Sequence, residues 1–415
     1  MRAAPASASR RAGGASAPPG APNPRSPTAE PTLRLADPLA LRYGGFYAAF
    51  FLAIGILLPF WPVWLAGRGL SPDQIGLLLA LVAWIRVLGT PAIGRLADAT
   101  GRPWRVLVAC AGVALLGFAA LLPARGFWPI LLLSLVAWTS YQAMGPLSES
   151  QVLAAVRRRG LDYGRLRLWG SIAFVVGSVG AGRLLTGRDP DLVLQLVLGA
   201  LAATLLATIL LPRAAGAARP PGASGLRSLL LDPRFLLFLG AGSLLQASHG
   251  VLYGFSALAW SAAGHSETTI GWLWAEGTIA EILLFAVAGR LFARARPTSF
   301  LIVAGLAGLV RWSGLAMSDS LPLLVLLQLL HGATFGAAHL GAIYYIARRA
   351  PLHLAATAQS LYAALAGGLA MGLAVLVAGR LFAAYGSAAF FAMTGLSAAG
   401  LLLAFELRRR APKPE

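Results

Sequence analysis

Apolar stretch follows apolar stretch along this chain, and twelve of them, from the one near 41–66 to the one near 386–406, reach bilayer-crossing length. A helix satisfies its own backbone polar groups in lipid, so such a series confines the chain to a bundle of membrane-spanning helices. Composition agrees: with 58% apolar and 12% charged residues over 415 positions, there is too little polar surface to cover a soluble globule. The expected fold class is an all-α membrane protein with twelve transmembrane helices in two six-helix, pseudo-symmetric bundles.

The formal charge of +19 would suggest nucleic acid in a soluble protein, but its placement gives another reading. If the amino terminus is cytosolic, 27 of the 34 basic residues fall in the tails and loops on that side. Five (Arg68, Arg125, Arg183, Arg188 and Arg380) fall on the other side, and Arg86 and Arg311 lie inside segments. The positive-inside rule then places both termini in the cytosol and leaves nothing for nucleic acid to explain. The localisation expected is a bacterial cytoplasmic (inner) membrane. The single cysteine, Cys110, lies within the third segment and excludes an intramolecular disulfide.

Residues 1–37, rich in Ala, Pro, Ser, Gly and Arg, read as a disordered cytosolic tail. The polar break at 213–233 divides the segments six and six, giving bundles at 38–212 and 234–407 and a cytosolic tail at 408–415. The bundles repeat each other. Ile75-Gly76 and Gly94-Arg95-Leu96 recur 195 residues later as Ile270-Gly271 and Gly289-Arg290-Leu291, and Gly182-Arg183-Leu184 recurs 197 residues later as Gly379-Arg380-Leu381. At the first offset Arg86 corresponds to Glu281, one unlike charge per copy. A duplicated hydrophobic unit of this kind reads as a two-lobed transporter with its working site between the lobes.

Ionisable groups deep in a span cost roughly 2.5 to 3.5 kcal/mol on insertion scales, so they normally face protein or water. Glu281 on the eighth segment, Arg311 on the ninth and His331 on the tenth form a proton site in principle, because moving a cation away from a buried carboxyl changes its proton affinity. A permanent salt bridge of Glu281 with Arg311 or Arg86 is the competing structural reading. Glu276, five residues earlier, reads equally as a gate or as a solvated group. His249 and His339 read as hydrogen-bonded packing residues, and Trp61, Trp64, Trp128, Trp260, Trp272 and Trp274 as an aromatic belt. Pro59 and Pro62 are expected to kink the first segment. No zinc-ligand spacing, phosphate loop or nucleophile elbow is visible, which argues against an enzyme or an ATP-driven pump.

Between the second and third segments, Gly94-Arg-Leu-Ala-Asp98-Ala-Thr-Gly101-Arg102 resembles the signature loop of the major facilitator superfamily. That resemblance implies that Asp98, Gly101 and Arg102 help hold an inner gate shut, with Ala99 standing where the signature carries a basic residue and Ala293 where the second copy would carry the Asp. Pro59-Phe-Trp-Pro62, Asp162-Tyr-Gly-Arg-Leu-Arg167-Leu-Trp-Gly-Ser171, and Gln328-Leu-Leu-His331 with Thr334-Phe-Gly336 and His339 are similar to the phenylpropionate permease branch, kin to lactose-permease-type proton symporters. The resemblance covers roughly residues 38–407 and implies that Glu281, Arg311 and His331 couple protons to substrate. The second acid that the sugar symporters carry one turn after the histidine is replaced by Phe335.

The expectation is therefore proton-coupled uptake of a small organic solute, such as an aromatic acid, by alternating access. Substrate contact is assigned to Arg86, Tyr141, Gln142, Gln246 and His339, and an inner-gate role to Glu149, Arg165 and Arg167 beside Asp98, Gly101 and Arg102. No cofactor is expected, the proton gradient supplying the energy. The partners are substrate, protons and the bilayer, and the chain acts as a monomer. Proton-driven export and a non-transporting receptor are the competing functions.

Overall fold

The computed structural model describes residues 37–213, 226–291, 295–351 and 354–410. The expected tail at 1–37, except Asp37, most of the central loop, and the side chains of the repeat at 289–291 together with Ala293 lie outside the described residues. Among the described residues the secondary structure is entirely helical. The first half comprises α1 (Pro38–Gly67), α2 (Pro72–Thr100), α3 (Pro103–Ala119), α4 (Phe127–Arg159), α5 (Tyr163–Leu185) and α6 (Asp191–Ile209). The second half comprises a short α7 (Leu226–Leu231), α8 (Pro233–Ala247), α9 (Gly250–Ala262), α10 (Glu267–Leu291), α11 (Pro297–Met317) and α12 (Leu321–Leu329), then α13 (Ala338–Arg349), α14 (Ala355–Tyr362), α15 (Met371–Tyr385) and α16 (Phe390–Arg409). Among the described residues, ten stretches of helix are long and apolar enough to cross a membrane.

Local chemistry sets the ends. Ser71 and Gln74 form a reciprocal capping box at α2 with Pro72 in its first turn, and Asp162 and Asp232 cap α5 and α8 through their carboxylates. Gly101 and Gly160 close α2 and α4 at φ 61° and 66°, a left-handed conformation that costs a β-carbon-bearing residue about 1 kcal/mol or more. α1 runs as one helix through the buried Pro59 and Pro62. Breaks come elsewhere, at Ser248–His249 between α8 and α9 and in π-helical turns at Gly332–Ala337 and Ala363–Ala370, the first of them inside the candidate site.

Within the first lobe α1 packs on α5 and α6, and α3 on α4; within the second, α16 packs on α8 and α11. The lobes meet along α2 with α15 and α5 with α10. Glycine sets the distance between them. A β-carbon on Gly76 would stand 3.0 Å from the Gly379 Cα, and one on Gly379 2.7 Å from the Pro72 carbonyl. On the other seam Gly182 abuts the Glu267 carbonyl and Gly271 the Ser178 carbonyl, while the Thr186 and Thr268 hydroxyls hydrogen-bond at 2.9 Å. Four of the glycines in the sequence repeat are thus among those that let the lobes touch.

The apolar core is continuous across both lobes at the end away from the termini, joining Trp61, Leu185, Phe255, Ile270, Leu324 and Phe390. At the termini-bearing end the second lobe has a core of its own around Phe238, Leu301, Tyr345 and Ala404. The inter-lobe space therefore opens toward the termini. At the closed end Arg68, almost fully buried, bridges Asp191 at 2.8 Å and lies over the Trp64 ring. Asp191→Asn leaves that guanidinium short of its counter-charge, and an increase of about 1 to 3 kcal/mol in instability is expected, read as a lower unfolding temperature in detergent micelles.

The aromatic-belt expectation fits the exposed Trp128 and Trp272, but Trp61, Trp64, Trp260 and Trp274 are buried. Trp61 and Trp64 stack at 4.6 Å and, with Phe118 and Trp138, fill the first lobe. Hydropathy does not distinguish a tryptophan at the lipid interface from one in a protein core at the same depth.

Candidate functional site

Arg311 of α11 is fully buried and is held by neutral partners. Its Nη2 donates to Gln328 Oε1 at 2.6 Å, and its Nη1 donates to Thr334 Oγ1 at 2.7 Å and to His331 Nδ1 at 3.0 Å. Gln328 Nε2 donates in turn to the Leu273 carbonyl at 3.0 Å, which fixes the amide so that its oxygen faces the guanidinium. The three partners sit on α12 and the π-helical turn after it, at positions 328, 331 and 334, where successive turns bring them to one face.

Proton positions follow from donor chemistry. A guanidinium only donates, so His331 Nδ1 is an acceptor and the neutral ring carries its hydrogen on Nε2. That nitrogen faces Glu281 Oε2 at 4.0 Å. His249, at the break between α8 and α9, is fully buried, with Nδ1 3.2 Å from the Gln246 carbonyl and Nε2 3.3 Å from Thr334 Oγ1. A carbonyl only accepts, so His249 carries its hydrogen on Nδ1 and Nε2 accepts from the Thr334 hydroxyl. The chain of donors thus runs from Arg311 through Thr334 and His249 to a backbone oxygen, while Arg311 also donates to His331, whose far nitrogen faces Glu281 at a distance longer than a hydrogen bond. Arg311 has no carboxylate within hydrogen-bond reach among the described residues, and its Nε has no partner.

The structure brings Glu281, Arg311 and His331 together, linked through the imidazole rather than by direct contact of Glu281 with Arg311. Gly277, Gly332 and Gly336 make this possible. A β-carbon on Gly277 would press on His331 at 3.3 Å and one on Gly332 on the Ala280 carbonyl at 2.9 Å, so α10 and the π turn approach closely only without side chains there. His331, Phe335 and His339 stack in near-parallel order at 5.3 and 6.2 Å. Phe335 occupies the second-acid position with an aromatic ring.

The residues assigned to substrate contact are scattered. Tyr141 is buried, its hydroxyl donating to the Phe50 carbonyl at 2.6 Å and its ring stacked on Phe50 at 4.8 Å. Gln142 is half-buried, and Gln246 is half-buried with its Oε1 unpaired. Arg86 is exposed. It lies beside the α2 seam, where Trp84 Nε1 donates to the Leu369 carbonyl at 3.3 Å.

The inner-gate candidates also separate. Asp98 is exposed and its carbonyl receives the Gly101 amide, while Arg102 is exposed at the start of α3. Glu149 accepts from Tyr47 at 2.7 Å and from Tyr163, and Arg165 pairs with Asp162 at 3.2 Å. Arg167 leaves that group, standing 3.9 Å above the Phe51 ring. The antiparallel seam of α5 and α10, continued from Gly182 and Ser178, sets Glu281 level with Leu168, next to Arg167, and the Arg167 charge acts on the Glu281 carboxylate. Reading the sequence did not pair these two. The seam glycines carried the signal, since their spacing gives the register. Glu276 lines a groove between α10 and α12 together with the exposed Trp272 and Leu283.

Two helical lobes that share seams of glycine, with ionisable side chains buried between their helices, have the architecture of a membrane transporter. The chain belongs to the MFS_1 like family, whose model it matches over residues 40–393. It is 36% identical over 360 residues to a probable 3-phenylpropionic acid transporter of Escherichia coli, covering 84% of this chain and 92% of that one. It is 31% identical over 347 residues to a maltose permease of Geobacillus stearothermophilus, covering 81% and 86%. The fold is that of the nucleoside transporter NupG, with a TM-score of 0.78 at 17% identity over 90% of this chain and 99% of that one.

Proposed function

We propose that this multi-pass membrane protein imports a small aromatic acid together with protons by alternating access. The observation that carries the reading is the wiring of Glu281 through His331 to the buried Arg311. A carboxyl so placed changes its proton affinity when lobe movement alters its distance from the Arg167 charge, so it can be loaded on one side of the membrane and unloaded on the other. For the substrate, Arg86 and Arg167 offer guanidinium charge to a carboxylate, and the half-buried Phe335, stacked between His331 and His339, gives the site an aromatic surface that suits an aromatic body better than a polyol. The likeness to a probable phenylpropionic acid transporter points the same way.

Twelve spans fit this reading. Pro103–Ala119 is a shorter apolar helix, and Thr357–Arg409 contains a turn at Gly386, where φ is 56°, which divides it in two. The charge asymmetry supports cytosolic termini and an open cleft that faces inward, in a bacterial inner membrane. The test is substrate-induced alkalinisation outside vesicles reconstituted with the chain, with 3-phenylpropionate, maltose and uridine offered separately. A response to the aromatic acid is expected. A response to maltose or uridine alone would overturn the substrate class, and aromatic-acid uptake without proton movement would overturn symport.

A further inference from the structure

Away from the inter-lobe space, a groove of about 570 Å³ lies on the outer surface of the first lobe between α2, α3 and α4. Its walls are apolar, with Leu96, Val106 and Val113 among them, and Leu96 and Val113 are 55% and 42% exposed. In a membrane-spanning bundle such side chains face lipid. At the termini-bearing end of the groove the lining changes character to Arg102 and Arg105, both exposed, with no acidic partner for either among the hydrogen bonds and ion pairs of the described residues.

More positive charge gathers at the same place. Arg102 precedes α3, whose amino terminus has no side-chain cap, so the helix dipole adds its positive end there. Trp104, between the two arginines, hydrogen-bonds the Thr208 carbonyl at 3.1 Å and carries Arg213 over its ring at 5.0 Å. An indole so anchored at a helix end marks the membrane interface, the level at which lipid phosphates lie. An apolar trough leading down from two guanidiniums at that level matches one kind of molecule in charge and polarity.

We propose that this groove is a binding site for an anionic phospholipid of the leaflet on the termini side. The phosphate is held by Arg102 and Arg105, and an acyl chain lies along Leu96, Val106 and Val113. A basic pocket between spanning helices on the cytosolic side recognises lipid headgroups by the same electrostatics that draw basic segments to anionic membranes. The site adjoins the α2–α3 loop, so its occupant touches the segment that carries Asp98 and Gly101.

The test is native mass spectrometry of the full chain in detergent, titrated with dioleoylphosphatidylglycerol or dioleoylphosphatidylethanolamine. Wild type should retain the phosphatidylglycerol more tightly, and R102Q/R105Q should bring it down on the order of tenfold, to the phosphatidylethanolamine level. Val113→Trp fills the trough without changing charge and should also lower retention, which diffuse attraction would not show. R157Q/R158Q removes as much charge from the exposed end of α4 and should leave retention unchanged. Equal losses in R102Q/R105Q and R157Q/R158Q, full retention in V113W, or displacement of the lipid by inorganic phosphate alone would overturn the site.

Discussion

Glu281→Gln should abolish proton-driven accumulation while leaving downhill exchange of substrate intact. The amide keeps the size of the carboxyl and presents an oxygen to His331 Nε2 across the same 4.0 Å, so packing of α10 against the π turn is retained. What it loses is the capacity to bind and release a proton. In vesicles the expected result is exchange at near wild-type rate, no substrate-induced alkalinisation, and an internal substrate level that never exceeds equilibration under an imposed pH gradient. An E281Q protein that still accumulates substrate in response to that gradient would remove Glu281 from the coupling path. Arg311 would be a poorer first target: replacing it strips Gln328, Thr334 and His331 of their common donor, and such a break in a buried charged network costs about 3 to 5 kcal/mol.

The second large effect is conformational. Gly271→Leu places a side chain where Gly271 already abuts the Ser178 carbonyl, and the opposing atom is backbone that cannot rotate away. Overpacking of this kind costs about 1 to 3 kcal/mol, enough to shift a two-state equilibrium on the order of 5- to 150-fold toward the form with this seam open. The readout is a disulfide across the seam. The Thr186 and Thr268 hydroxyls lie 2.9 Å apart, so T186C/T268C in a C110S background should cross-link readily. Adding G271L should lower the yield several-fold. An undiminished cross-link would show that the seam tolerates the added volume and that these glycines do not set the closed state.

Both predictions rest on relationships that a linear reading reaches only in part. Glu281, Arg311 and His331 stand out in the sequence because each is an ionisable residue where lipid forbids one. Their connection does not stand out. Whether Glu281 meets Arg311 directly, meets Arg86, or works through His331 depends on how α10, α11 and the π turn at 332–337 rotate against each other. That rotation is set by Gly277, Gly332 and Gly336, whose packing no periodicity reports. The break at Ser248–His249, which seats His249 against Thr334, is equally silent, since neither residue is a usual breaker of helices.

Tyr141 and Glu149 show the limit from the other side. Both are polar residues on a spanning helix, and the sequence offers them to substrate and gate alike. The fold gives the Tyr141 hydroxyl to a carbonyl of α1 and surrounds Glu149 with the hydroxyls of Tyr47 and Tyr163. Arg165 and Arg167, two residues apart, point to different partners, one to the cap at Asp162 and the other to the ring of Phe51.

By itself the sequence determined the solvent, the helical class, the two-fold internal repeat and the family, because hydropathy, charge asymmetry and repeated glycines are properties of short stretches and survive without knowledge of neighbours. Tertiary structure alone decided that the repeated glycines are the seam, that the cleft opens toward the termini, and that the carboxyl reaches the buried arginine through an imidazole. These are relations between helices distant in sequence. Their distances are fixed by side-chain volume at the contact and by the register of one helix on another, and neither quantity is written in any single segment.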